Sequence, residues 1–227
     1  MLKSFIRRTF PSLKHLWPVF RALRFELAAL VLHKIGNALF LKRLLREKRK
    51  LHFGSGADIK PDFINIDMDG RADIFLDARN GLNIPDGSIE YIYSSHFVEH
   101  LEHDDLLAHL RECHRILSPD GVLRLGVPDF EMVFNCYCTG DKEFLETRRT
   151  VLSSLYGLPA DMICAADFLN KAVYESGQHR TCLDLEKIRN LLIYSGFDTS
   201  KISVKEFDPK VDVLARKNLT FFVEACK

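Results

Sequence analysis

The sequence has little continuous hydrophobic character. The longest apolar run in its N-terminal part covers only residues 27–32, whereas a membrane-spanning helix needs about 20 such residues. No small-residue cleavage site follows this basic segment cleanly, so neither a signal peptide nor a transmembrane helix is predicted. We therefore expect a cytoplasmic protein.

The six cysteines include no Cys-x-x-Cys pair and form no zinc-binding pattern. The simplest interpretation is a set of small hydrophobic side chains in a reducing compartment. No metal site is predicted from the sequence.

Two nucleotide-binding signatures are also missing around the glycine turn Gly54-Ser55-Gly56. No Gly-Lys-Ser/Thr follows it, which argues against a loop that cradles the phosphates of ATP. Ile59 occupies the place of the third glycine of Gly-x-Gly-x-x-Gly, which disfavours a dinucleotide-dependent oxidoreductase.

Charge is distributed unevenly along a chain whose net charge is only +1. Residues 1–50 contain thirteen Lys and Arg against Glu26 and Glu47. We therefore predict a basic helical extension over residues 1–48 and an acidic domain over residues 49–227. The extension is typical of a segment that contacts a membrane surface, or of an amphipathic helix that covers its own domain. Nucleic-acid binding is not favoured because basic and aromatic residues are not interleaved.

Short apolar segments alternate with helical ones from residue 51 onward. The pattern predicts strands over 51–53, 63–66, 72–76, 89–94 and 122–127, then two more over 202–207 and 219–225, with helices over 104–117 and 184–195. This order predicts an α/β fold whose mostly parallel sheet has helices on both faces. Ligands of such sheets bind where the strands end at their carboxyl side.

Acidic residues end the second and third predicted strands. Asp67, followed by Met68, can accept hydrogen bonds from ribose hydroxyls, and Asp77, followed by Ala78, can reach an adenine amino group. Phe53 and the glycine turn end the first strand, where glycine lets the backbone approach a ligand. The alternative interpretations are a surface turn for Asp67 and a helix or turn cap for Asp77.

Two longer motifs complete the pattern. Residues 94–101 read Ser-Ser-His-Phe-Val-Glu-His-Leu, and residues 115–123 read Arg-Ile-Leu-Ser-Pro-Asp-Gly-Val-Leu. Together with the glycine turn and Asp67, they resemble class I S-adenosylmethionine-dependent methyltransferases, in particular a group of small bacterial enzymes. The resemblance covers about residues 50–227.

The resemblance implies a Rossmann-like, seven-stranded sheet whose last strand is antiparallel between its neighbours. It implies S-adenosylmethionine as the cofactor, with the methionine part at residues 54–56. It also implies ribose at Asp67, adenine at Asp77, and a fourth strand ending near the sulfonium at Ser94, Ser95 and His96. This sequence departs from the family at His52, where an acidic residue is common, and in its short interval from Gly56 to Asp67, which predicts a truncated or absent first helix.

Catalytic residues are harder to predict because methyl transfer depends mainly on placing the acceptor. The candidates are His96, His100, Asp129 and His179. A histidine can take a proton from an acceptor hydroxyl. The His-rich segment lacks the His-Glu-x-x-His order of zinc hydrolases.

The sequence therefore predicts methyl transfer from S-adenosylmethionine to an oxygen or nitrogen of a small-molecule or glycan acceptor. The acceptor could be a sugar of a surface polysaccharide or a lipid-linked intermediate. Residues 130–178 are predicted to form a lid or acceptor wall, and residues 1–48 a peripheral contact with the inner membrane face. The alternative is a methyltransferase-like binding or scaffold protein without catalysis. The oligomeric state is not predicted.

Overall fold

A computed structural model describes residues 17–227, and the first third of the predicted extension lies outside these residues. The described chain begins with helix α1, Trp17–Ile35. It continues through a π-helical turn, Gly36–Phe40, into the short helix α2, Leu41–Leu44. The described part of the predicted helical extension is thus helical, with a π-helical turn at Gly36–Phe40 between its two α-helices.

Seven strands form one sheet of order β3-β2-β1-β4-β5-β7-β6. They are β1 Lys50–Phe53, β2 Ile64–Asp67, β3 Ile74–Phe75, β4 Ile89–Ser95, β5 Leu117–Pro128, β6 Ile202–Lys205 and β7 Thr220–Cys226. Strands β1 to β5 are parallel, and β7 pairs antiparallel with both β5 and β6. This is the predicted Rossmann-like sheet with its antiparallel strand between two neighbours.

The remaining helices follow the strands. They are α3 His103–Ile116, α4 Phe130–Thr139, α5 Lys142–Tyr156, α6 Ala165–Tyr174 and α7 Leu185–Tyr194, with 3₁₀ turns at Val98–His100, Ala160–Met162, Glu175–Gly177, Thr199–Lys201 and Leu214–Leu219. None of the helices in residues 17–227 combines the length and the apolar content that crossing a membrane requires.

Residues 54–63 between β1 and β2 contain turns and no helix, in agreement with the short interval. Two features differ in detail from the predicted strands. The third strand is only two residues long. The fifth begins at Leu117, before the predicted residue 122, and since Ile89 pairs with Leu117 and Tyr91 with Val122, residues 118–121 loop out of the ladder as a bulge. Asp120 adopts a left-handed conformation there, with φ of +64°.

Helix α1 packs on the β3 edge of the sheet through a narrow face. Ala29, His33 and Gly36 are buried on this face. A Cβ at Gly36 would lie 2.7 Å from the carbonyl oxygen of Phe75, so only glycine allows this close approach. The described part of the extension, from residue 17 onward, is therefore docked on its own domain, as one of the two interpretations of the sequence predicted.

The segment predicted as a lid has a small core of its own. Helices α4, α5 and α6 enclose Val133, Leu152, Ile163 and Phe168, apart from the main core around the sheet. The cluster follows β5 directly, and the chain after it returns to the turn that follows β4, where the N–H of Arg180 donates to the carbonyl oxygen of Glu99.

Candidate functional site

A cavity of about 640 Å³ lies at the carboxyl ends of β1 to β4. This is the edge where parallel α/β sheets bind ligands, and the volume suits a molecule of nucleoside size or larger. It is lined by Glu26, Phe53, Gly54, Ile66, Asp67, Met68, Leu76, Asp77, Ala78, Arg79, His96, Phe97, His100, Leu101, Glu102, Asp105, Gly177, Gln178 and Arg180.

The glycine turn has two glycines with different roles. Gly54 has φ of +66°, and a Cβ there would lie 2.6 Å from the Cβ of Phe97, which covers the turn. Gly56, with φ of +49°, has open space around it, and its N–H donates to Oδ2 of Asp67 at 2.7 Å. Gly54 and Phe53 line the cavity, whereas Gly56 and Ser55 lie beside it.

Asp67 lies in the cavity wall at the end of β2. One of its oxygens accepts from Gly56, and the other accepts from the backbone N–H of Asp69 at 2.9 Å. A carboxylate has about four lone-pair positions, so each oxygen can accept one more hydrogen bond. The arrangement leaves Asp67 able to bind a pair of hydroxyl groups.

Asp77 at the end of β3 belongs to an ion-pair network. Arg79 donates to its Oδ2 at 2.7 Å and also to Oε2 of Glu26 at 2.8 Å, so the guanidinium links β3 to α1. The Asp77 N–H donates to Nδ1 of the buried His33. Burial of Asp77 opposes its ionisation, but the hydrogen bonds and charge of Arg79 outweigh this effect and lower the pKa of Asp77.

The end of β4 brings histidines to the cavity. His96 has φ of +48°, an uncommon conformation for a residue with a side chain. Its Nε2 lies 2.7 Å from Oγ1 of Thr220 on β7. Burial, and secondarily the charge of Arg216, lower the pKa of His96 to about 3. The ring is therefore neutral near pH 7 and a weak base.

Two other predicted catalytic histidines lie together. The rings of His100 and His179 are edge to face with centroids 5.0 Å apart. His100 lines the cavity, and its Nδ1 lies 3.1 Å from the carbonyl oxygen of Gln178. Burial lowers the pKa of His100 as well. His179 lies just outside the cavity lining, against Glu175.

The structure does not bring every predicted residue to the cavity. Asp129 caps the N-terminus of α4 by accepting from the N–H of Met132, outside the cavity lining. Ser94 and Ser95 are buried in β4 beneath it. The predicted residues that do line the cavity are Phe53, Gly54, Asp67, Met68, Asp77, Ala78, His96 and His100.

Sequence reasoning missed several lining residues. Glu26 comes from α1, and Gly177, Gln178 and Arg180 come from the loop after α6. Both segments are distant in sequence from β1 to β4, so no local pattern could have assigned them. Glu99 belongs to the motif of residues 94–101, but the sequence assigned it no role, although its side chain is fully buried beside the cavity.

His52, the departure from the family pattern, is part of the interior. It is 1% exposed, its ring lies 5.0 Å from that of Tyr93, and its Nδ1 is 3.3 Å from Oδ1 of Asn65. Burial lowers the pKa of His52 to about 4, with a further contribution from the charge of Lys60. His52 is absent from the cavity lining.

Residues 36–125 match the family model of a methyltransferase domain. The matched segment contains β1 to β4, most of β5 and all of the predicted cofactor-binding residues. No curated protein matches the chain.

Solved structures of S-adenosylmethionine-dependent methyltransferases resemble the chain at low identity. One from Archaeoglobus fulgidus is 15% identical and covers 82% of this chain and 91% of its own, with a TM-score of 0.48. One from Thermotoga maritima, described as a possible histamine N-methyltransferase, is 18% identical. The match covers 93% of this chain and 99% of that protein, also with a TM-score of 0.48. A third, from Mesorhizobium loti, is 16% identical and covers 82% and 96%, with a TM-score of 0.44.

The match over residues 36–125 and the sheet order both agree with the predicted S-adenosylmethionine-dependent methyltransferase. S-adenosylmethionine is the cofactor that this match implies. The cavity fits this cofactor: it has sufficient volume, a glycine at its floor, and in Asp67 a carboxylate with free acceptor capacity.

Proposed function

We propose that this enzyme methylates a hydroxyl oxygen of a sugar carried by a lipid-linked intermediate at an anionic membrane surface. The observation that carries the proposal is the exposed apolar face of α1, the same helix that contributes Glu26 to the cavity wall.

The cofactor is proposed to lie along the carboxyl ends of the strands. The methionine part lies over Gly54, the ribose hydroxyls donate to Asp67, and the adenine lies near Asp77 and Ala78. When bound, S-adenosylmethionine supplies an electrophilic methyl carbon on its sulfonium. His96 and Phe97 at the end of β4 then border the position from which the methyl group leaves.

Placement of the acceptor is the main contribution of the protein to the reaction. Correct alignment of two reactants contributes roughly 7–11 kcal/mol of effective concentration. The lowered pKa values of His96 and His100 make both rings weak bases, so neither is expected to dominate the rate. The helical cluster of residues 130–178 is proposed to form the wall against which the acceptor is placed.

The exposed face of α1 is unusually apolar for a surface helix. Its large exposed side chains are Val19, Phe20, Leu23, Leu27, Leu30, Val31, Leu32 and Ile35. Exposed basic side chains lie among the apolar ones, including Arg24 and Lys34, and Lys42 and Arg43 continue the basic surface into α2. A helix surface that combines exposed apolar and basic side chains favours the interface of membranes that contain anionic lipid.

Vesicle flotation tests the membrane contact. The full chain is expected to float with phosphatidylcholine vesicles that contain phosphatidylglycerol, and to float less with phosphatidylcholine alone. Leu27→Glu should reduce this binding at least tenfold. Val204→Glu is a matched control because Val204 on β6 is 57% exposed, close to the 56% of Leu27, and the charge change is the same.

The acceptor is tested by counting S-adenosylhomocysteine formed from S-adenosylmethionine. Turnover is expected with a lipid-linked saccharide in anionic vesicles and should be slower with the same saccharide free in solution. Equal turnover with both acceptors, or dimerisation through α1 in light scattering with no vesicle binding, would remove the membrane from the proposal.

A further inference from the structure

Three potential ligand residues meet beside the cavity. Glu99 and His100 lie in the 3₁₀ turn after β4, and His179 lies just after the turn Glu175–Gly177. One side-chain oxygen or nitrogen from each residue lies within 4.8 Å of the others. The ligand atoms of a tetrahedral zinc ion, each about 2.0–2.1 Å from the metal, are separated by roughly 3.4 Å, so side-chain rotations would have to draw this set together around an ion.

Glu99 is a buried carboxyl group with unused oxygens. Its exposed fraction is 0%, and neither oxygen has a hydrogen-bond partner among residues 17–227. The nearby groups that can carry a positive charge have other partners: Arg216 donates to the carbonyl oxygen of Ser95, Lys171 pairs with Glu175, and His179 contacts Glu175 and the carbonyl oxygen of Ala172. Burying a carboxylate without a partner costs roughly several kcal/mol of folding free energy. Glu99 therefore requires either a cation or a proton.

His100 is held in the orientation of a metal ligand. Its Nδ1 lies 3.1 Å from the carbonyl oxygen of Gln178, which can only accept, so the proton is on Nδ1. The lone pair is then on Nε2. A backbone carbonyl that accepts from the second ring nitrogen is the common support of metal-binding histidines. Nδ1 of His179 likewise faces the carbonyl oxygen of Ala172, but its Nε2 pairs with Glu175 at 2.5 Å, so an ion would take the place of the proton between them.

His96 presents a second electron pair to Glu99. The Thr220 hydroxyl donates to the carbonyl oxygen of Arg216 at 2.6 Å, so its oxygen accepts from Nε2 of His96. Nδ1 of His96 is therefore an acceptor, and it lies 3.7 Å from Oε1 of Glu99. Nδ1 of His96 and Oε1 of Glu99 are thus two hydrogen-bond acceptors that face each other with no donor between them.

We propose that Glu99, His100 and His179 bind one divalent transition-metal ion, with Nδ1 of His96 available as a fourth donor. Imidazole nitrogens with one carboxylate suit Zn²⁺, Mn²⁺ or Fe²⁺ better than Mg²⁺, which prefers oxygen ligands. If the proposed hydroxyl acceptor is correct, the ion coordinates that hydroxyl next to the methyl-donor cavity. This role rests on the proposed function, whereas metal binding itself does not.

The competing arrangement is a proton in place of the ion. Burial raises the pKa of Glu99 to about 7, and a protonated Glu99 could donate to Nδ1 of His96. The two arrangements differ in whether the protein takes up metal.

Isothermal titration separates them. The chelator-treated full chain, without S-adenosylmethionine, is titrated with ZnCl₂, MnCl₂ and MgCl₂. We expect one site per chain for Zn²⁺ or Mn²⁺ and much weaker binding of Mg²⁺. Glu99→Gln and His100→Asn should each weaken the affinity at least tenfold. His103→Asn is the control, because His103 is an exposed histidine three residues away and outside the cluster, and it should bind as the wild type does.

Absence of saturable metal binding by the wild-type chain would overturn the proposal, as would unchanged affinity in both cluster variants. Circular dichroism checks that each variant is folded. If Glu99→Gln does not fold, the His100→Asn variant alone tests the site. Titration with S-adenosylmethionine is run separately, so a failure of the methyl-donor site is distinguished from a failure of the metal site.

Discussion

A side chain at Gly54 and the side chain of Phe97 exclude each other, because a Cβ at Gly54 would lie 2.6 Å from the Cβ of Phe97. Gly54 also has φ of +66°, which costs a residue with a side chain roughly 1–2 kcal/mol. The turn that forms the floor of the cavity and the aromatic residue that covers it are therefore mutually dependent.

Gly54→Ala is expected to destabilise the fold by about 2–4 kcal/mol, from backbone strain and the clash together. The double variant Gly54→Ala/Phe97→Gly should be less destabilised than the sum of the two single variants, since only glycine at residue 97 removes the Cβ as well as the ring. Urea unfolding measures all four proteins. Strict additivity would show that the two side chains do not interact.

Asp67→Asn is expected to weaken S-adenosylmethionine binding ten- to a hundredfold. The asparagine amide has the size of the carboxylate, but it replaces one charged acceptor oxygen by a donor. The hydrogen bonds to the two ribose hydroxyls are then weakened, which reduces the binding free energy by about 1.5–3 kcal/mol. Calorimetric titration measures the change. Asp73→Asn is unsuitable as a control because Asp73 holds Asn65. Asp62→Asn is suitable, since Asp62 is exposed and absent from the cavity lining.

Stability should fall as the pH is lowered from 7 to 5. The folded-state pKa values of His52, His96 and His109 are lowered by burial to about 4, 3 and 4. Below pH 6.5 the three histidines therefore take up protons when the protein unfolds. The free energy of unfolding falls as the pH is lowered from 6.5 towards these folded-state pKa values. Glu99, whose pKa is raised to about 7, opposes this between about pH 4.5 and 7, because its folded form holds a proton that the unfolded form releases.

The net expectation is an uptake of about two protons on unfolding near pH 5.5, or roughly 2–3 kcal/mol per pH unit. Urea midpoints at four pH values measure it. A midpoint that rises on acidification would contradict the neutral state of these histidines in the fold.

Gly36→Ala should loosen α1. The added Cβ would lie 2.7 Å from the carbonyl oxygen of Phe75, which is backbone and cannot rotate away. Limited trypsin digestion is expected to cut the variant faster after Arg24 and Lys34. Gly70→Ala is the control, because a Cβ there meets nothing within 4 Å. Equal digestion of both variants would mean that α1 tolerates the displacement.

Arg124→Met should destabilise the fold by about 3–5 kcal/mol, because it leaves the buried carboxylate of Asp212 without its guanidinium partner. Arg71→Met removes an exposed pair with Asp69 and should leave stability almost unchanged, because solvent screens an exposed ion pair. Thermal unfolding compares the two. A similar small effect for both would show that Asp212 reaches solvent or another donor.

Most of the sheet was predictable because each strand carries its own signal. Asp67 and Asp77 end apolar segments, and Gly196 ends α7 with φ of +109°. The bulge at residues 118–121 was not predictable as such, since Pro119, Asp120 and Gly121 have the same local preferences in a turn as in a strand that loops outward. Pairing of β5 with β4 on both sides of these residues is what distinguishes a bulge within one strand from a turn before it.

The site was predictable where it follows strand ends and not where it depends on distant segments. Asp67 and Gly54 were assigned from their position after a strand. The partners of Asp77 were missed, because Arg79 engages Glu26 only once α1 has docked. The cluster of Glu99 and His179 joins residues 80 apart, and spacing along the chain contains no sign of it.

Helix α1 has one side in the wall of the cavity and the other in solvent. Through Arg79, its Glu26 is connected to the carboxylate at the end of β3. An occupant of the outer side that shifted the helix would change the free energy of binding on the inner side, and thermodynamic linkage would make the two effects equal in size. The proposed attachment to a membrane surface therefore predicts that membrane binding and cofactor binding are coupled.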